Sequence, residues 1–128
     1  MYLRFVTMDI HPLTRVRTGI FSAALDLRDE DSLADCECAQ LCELLRWFDE
    51  YLPEPTSFTR ARRTSCVRHG VCWFKHSARM HLAQIWQMVA LLERNGIWIR
   101  MLKAHWPGYV IYEDDWQIVA VPSLSKRR

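Results

Sequence analysis

The chain has 128 residues, half of them hydrophobic and a quarter charged, with a mean hydropathy of −0.14. That is the size and composition of one folded domain, not of a disordered tail or a two-domain protein. The formal charge is +2, no run approaches the roughly 20 apolar residues of a membrane helix, and five cysteines make an odd count that argues against a complete disulfide framework. The expected setting is the cytoplasm, with the cysteines as thiols.

In chain order, Leu3 to Met8 mixes β-branched, aromatic and apolar residues and stops at His11-Pro12, which predicts a first, central strand. Thr18 is placed to cap a short helix running to about Arg28, with Ile20, Phe21, Ala24 and Leu25 on its apolar face. Ser32-Leu33-Ala34-Asp35 resembles a capping box, and Leu41, Leu44, Leu45, Phe48 and Leu52 then recur at helical spacing until Pro53. Residues 53–70 hold two prolines and four arginines with no apolar period, the pattern of a long loop.

Val71 to Phe74 reads as a short buried strand, and Ser77 as the cap of a helix with the stripe Leu82, Ile85, Trp86, Val89 and Leu92, stopped at Asn95-Gly96. Ile97 to Lys103 alternates as a strand. Pro107-Gly108 turns the chain, and Tyr109 to Tyr112 meets Gln117 to Val121 as a hairpin. The order β-α-α-loop-β-α-β-β-β predicts an α+β fold: a mostly antiparallel sheet of four to five strands with about three helices packed on one face. Residues 1–122 form the single domain, and 123–128 are a basic tail.

Charge is unevenly distributed. Asp26 to Glu54 carries ten acidic residues against Arg28 and Arg46, a balance of −8, whereas Pro55 to Leu92 has no acidic residue and a balance of +6. The positive charges there are Arg60, Arg62, Arg63, Arg68, Lys75 and Arg79. Guanidinium forks feeding a helix N-terminus suit phosphate or carboxylate, so nucleic acid or a nucleotide is the natural partner. The alternative is that this basic segment packs on the acidic helix of its own chain.

Other clusters are less specific. Cys66, His69, Cys72, His76 and His81 include enough zinc-type ligands, but their spacing matches no zinc module, and buried thiols with surface imidazoles explain them as well. Cys36, Cys38 and Cys42 lie among acidic residues that raise a thiol pKa, which favours structural use. Charged residues within apolar strands suggest a cleft in which Arg4, Lys75, His81 and Arg100 meet Tyr112 and Glu113. The acids Glu113, Asp114 and Asp115 otherwise read as solvated turn residues. No phosphate loop, dinucleotide fingerprint, HExxH or Gly-x-Ser-x-Gly is present, so no cofactor is expected.

Cys72-Trp73-Phe74-Lys75, Ser77-Ala78, Arg100-Met101-Leu102, Pro107 to Asp114 and Gln117-Ile118-Val119-Ala120 together resemble a group of small uncharacterised bacterial proteins. Met1-Tyr2-Leu3-Arg4 and Arg46-Trp47-Phe48-Asp49 extend the likeness over most of the chain. The resemblance implies a bacterial cytoplasmic origin and a folded domain, and it carries over no site residue.

Three functional expectations follow. The first is a non-catalytic binding or regulatory module for an anionic partner, engaged through the Arg60 to Arg79 segment. The second is an enzyme with a cleft around Lys75, His81, Arg100 and Glu113. The third is a protein-interaction module or homodimer, because six tryptophans exceed what so small a core uses, with Trp98, Trp106 and Trp116 the ones to inspect.

Overall fold

A computed structural model describes residues 1–10, 17–52 and 70–121. The described elements are β1 (Tyr2–Ile10), β2 (Arg17–Gly19), α1 (Ile20–Asp29), α2 (Asp35–Tyr51), β3 (Val71–Lys75), α3 (Arg79–Arg94), β4 (Arg100–Ala104), β5 (Tyr109–Glu113) and β6 (Gln117–Val121). They build the α+β fold that the element order predicts: three helices and one curled antiparallel sheet. Among the described residues no helix is long and apolar enough to cross a membrane.

β1 is the hub of the sheet. Along one edge it pairs with β4, from Tyr2 opposite Ala104 to Val6 opposite Arg100. Its other edge is divided: Tyr2 and Leu3 pair with Lys75 and Phe74 of β3, while Val6 and Ile10 pair with Gly19 and Arg17 of β2. β6 lies between β3 and β5. The short strand β2 is absent from the sequence reading, because three residues around Thr18 show no period and a helix starts immediately after them.

Strand alternation sends Leu3, Phe5, Phe74 and Met101 to the helix side, where they join a core with Leu41, Ile85, Met88, Leu91 and Leu92, the last five essentially without solvent contact. Phe21, Phe48 and Phe74 interlock there, with Phe21 and Phe48 edge-on at 4.9 Å. The opposite face is also closed over Val6, Val71, Ile118 and Ala120, none of them more than 7 % exposed. This agrees with a curled rather than a flat sheet.

The helix faces differ in detail from their periodicity. Leu25 and Trp86 are 40 % and 49 % exposed, and Ala23, Leu27 and Met88 take the inward positions instead. Trp86 is still held edge-on against Phe5 at 5.1 Å, so one side of its ring packs and the other is wet. Gly19, Ala34 and Ala78 occupy the N-cap positions without a side-chain cap, displacing the expected Thr18, Ser32 and Ser77. The C-terminal stop of α3 does form: Gly96 takes φ 86°, Ile97 N–H donates to Leu92 and Gly96 N–H to Glu93, a Schellman closure.

With capping weak, packing must carry the helices. Ile85→Ala should therefore cost about 2–5 kcal/mol by urea denaturation, whereas Met80→Ala, at a side chain 70 % exposed, should stay within about 0.5 kcal/mol.

Candidate functional site

The β3–α3 corner carries the described part of the basic segment. Lys75 closes β3, and its backbone N–H extends the ladder to the Trp116 carbonyl at 2.8 Å. Its ammonium meets Glu113 Oε2 at 2.6 Å, and this hydrogen bond raises the Lys75 pKa. His76 follows on the exposed turn, where both its backbone N–H and Nδ1 reach the Met1 carbonyl. Arg79 is the first residue of α3, exposed, with no acidic residue in the first turn and no ion pair among the described residues. Arg60, Arg62, Arg63 and Arg68 lie outside the described residues.

The proposed catalytic cleft is only partly assembled. Lys75 and Glu113 touch, but Arg100 is exposed on β4 opposite Val6, four residues along β1 from the position facing Lys75, roughly 13 Å in strand rise. Arg4 is half-buried and donates from Nη2 to the Arg17 carbonyl at 3.0 Å. Burial lowers its pKa, partly offset by the nearby Cys72 sulfur.

His81 lies on the helix side, 4 % exposed. Its Nε2 is 2.9 Å from the Tyr51 carbonyl, which can only accept, so this nitrogen carries the proton. Trp47, Trp116 and Phe48 surround the ring, with centroids at 5.0, 5.3 and 6.4 Å. Its Nδ1 is buried without a hydrogen-bond partner among the described residues. The contact satisfies an orphan carbonyl in the last turn of α2, a structural task.

No family model matches the chain, and no curated protein or solved structure matches it.

For the metal reading, Cys66 and His69 lie outside the described residues. Cys72 faces the helices, His76 sits on the exposed turn beyond the strand, and no group of three or more His, Cys, Asp or Glu suited to a metal occurs among the described residues. Trp98 and Trp106 are 66 % and 72 % exposed, whereas Trp116 is half-buried against His81.

Two features escape the sequence reading. The first is Asp114, whose carboxylate accepts from Trp116 N–H, Gln117 N–H, Tyr112 Oη and Gln117 Nε2 at 2.8–3.1 Å. Asp followed by amide donors two and three residues later is the available signal. Burial works to raise the Asp114 pKa, but the four hydrogen bonds outweigh it and leave the carboxyl below its ordinary value. Its bond pushes Tyr112 up to about 12.

The second is a cavity of about 380 Å³ between α1, α2 and β3. Phe21, Phe48, Phe74 and Leu52 form much of its wall, and Cys72 and Gln117 line it as well. Cys72 is exposed to this space yet ringed by enough protein that burial raises its thiol pKa. Such a thiol is a poor nucleophile at neutral pH.

A depressed carboxyl contributes stability above its unfolded value, about 3.9, and loses that contribution as pH falls through the lower folded value. The urea-derived stability gap between the wild type and Asp114→Asn should therefore be constant near neutral pH and narrow below about pH 4. A gap indifferent to pH would count against the charge on Asp114 as the organiser of the hairpin.

Proposed function

We propose that the chain is a non-catalytic binding or regulatory module for an anionic partner, a nucleic acid or nucleotide, engaged through the Arg60 to Arg79 segment. The observation that carries this reading is the position of Arg79. A helix start bears a partial positive charge on its unpaired N–H groups and ordinarily attracts Asp or Glu. α3 begins instead with an exposed arginine, an uncapped Ala78 and no acid in its first turn. The sequence supplies five more cations and no carboxylate between Pro55 and Leu92. An anion at this corner would offset the like sign of Arg79 and the helix N-terminus. Lys75, already neutralised by Glu113, adds less.

The reading makes an unusual prediction for Arg79→Glu. The variant should gain a few tenths to about 1 kcal/mol of stability from the helix dipole while losing affinity for the partner. Fluorescence anisotropy with short single-stranded RNA, single-stranded DNA and a labelled nucleotide checks this at low salt, where affinity should fall as salt rises. Absence of binding to all three probes would sink the proposal.

Exposed indoles favour a second reading, a protein-interaction module or homodimer. Trp98 and Trp106 flank the edge strand β4, each on a connection, and Tyr109 opens the next strand 72 % exposed. Light scattering at high protein concentration should then show a dimer for the wild type and a monomer for Trp98→Ser/Trp106→Ser. A monomeric wild type removes the homodimer.

A further inference from the structure

We propose that the cavity between α1, α2 and β3 is a binding site for a compact, uncharged aromatic molecule. This inference is separate from the anion-binding reading and draws on none of its cationic residues.

Volume is the first argument. About 380 Å³ falls in the range of small-molecule pockets, which begins near 300 Å³, and is more than twice the roughly 150 Å³ apolar cavity that accepts a single benzene. There is room for two fused or linked rings. The second argument is the wall. Phe21, Phe48 and Phe74 pack on one another at centroid separations of 4.9 to 6.4 Å, and this ring cluster lines the cavity as an aromatic wall on which a further ring can pack from the open side. Leu25, Leu45 and Leu52 complete an apolar surface that discriminates little among ring shapes.

Charge supplies the third argument. Only Arg28 and Asp49 bring formal charge to the lining, and both are exposed side chains of opposite sign. Arg28 is also paired with Asp29 at 3.2 Å. The cavity therefore offers no net potential to select an anion or a cation, and a charged ligand would lose its hydration without a partner inside. The polar features farther in are uncharged: the Cys72 thiol, which burial keeps protonated, and the Gln117 amide, 2 % exposed and held by Asp114. A fixed amide at the wall of an apolar pocket provides orientation, which is the usual division of labour in ligand sites.

The test uses two fluorescent probes with one ring system. N-Phenyl-1-naphthylamine is uncharged, and 1-anilinonaphthalene-8-sulfonate adds a sulfonate. The uncharged probe should brighten saturably with one site per chain, and the sulfonate should bind at least tenfold more weakly. Cys72→Trp, filling the cavity from the sheet, should weaken the uncharged probe at least tenfold, while Cys72→Ala leaves it bound. Leu25→Trp fills the space from the exposed side of α1, where the fold tolerates bulk, and should have the same effect should Cys72→Trp fail to fold. Absence of saturable binding overturns the site, as does a signal that survives both tryptophan variants. Equal or tighter binding of the sulfonate overturns the uncharged class. None of these readouts involves nucleic acid, so failure here is distinguishable from failure of the anion-binding proposal.

Discussion

The fold depends on how one strand edge is shared. β1 pairs one side with β4, from Tyr2 to Val6, but divides the other between β3 at its start and β2 from Val6 onward, leaving Arg4 and Phe5 at the seam. A divided edge exposes backbone groups that have no strand partner, and buried carbonyls need a donor. Arg4 reaches from the seam past Gly19 to donate to the Arg17 carbonyl, which ties β1 to β2 at the cost of desolvating its guanidinium. Everything downstream inherits this junction. β2 runs directly into α1, so the seam fixes where that helix crosses the sheet, and β3 carries Cys72 and Phe74 into the wall of the cavity.

Around this seam the helices are held by packing rather than by local signals. None of the three has a side-chain N-cap, and each buries one apolar face: Ile20, Ala24 and Leu27 in α1, Leu41, Leu44 and Phe48 in α2, and Ile85, Met88 and Leu92 in α3. That is why the sequence was informative about where helices lie and less so about where they begin. The stripe Leu41, Leu44 and Phe48 is buried as its spacing implies, since burial of a whole face overrides small errors of phase. Leu25 and Trp86 sit at stripe margins, where a rotation of some tens of degrees moves a side chain from core to solvent. Periodicity alone has no such resolution.

Strands were legible for a related reason. Gln117 to Val121 forms as read because a continuous run bounded by turn residues leaves little freedom, whereas β2 is too short to show a period. At the level of sites, Lys75 and Glu113 could be associated from sequence as charges within apolar strands, and they do form an ion pair. His81 does not join that pair: it is buried on the helix side, where one ring nitrogen satisfies a backbone carbonyl. The Asp114 network was hidden because three consecutive acids look like a solvated turn. Only the returning strand reveals that one of them accepts four hydrogen bonds. The cavity depends on the spacing between α1, α2 and the sheet, a quantity that no linear pattern encodes.

Helix polarity makes the β3–α3 corner distinctive within the molecule. Two contacts show that α2 and α3 pack antiparallel: Glu37 in the first turn of α2 meets Arg94 in the last turn of α3 at 3.3 Å, and the Tyr51 carbonyl at the far end of α2 meets His81 near the start of α3. At the first junction an acid sits on a positive helix end and a base on a negative one, so side-chain charge and backbone dipole agree for both helices. At the second, the α2 terminus has no basic residue in its last turn and depends on a histidine N–H, while the α3 terminus carries an arginine of the same sign as its dipole. The same pair of helices thus satisfies the dipole rule at one end and departs from it at the other. Local stability gives no reason for a cation there, because any neutral or acidic residue would suit the helix better. A ligand that brings its own negative charge would give one, and that asymmetry is the physical ground on which the proposed anionic partner is assigned to Arg79.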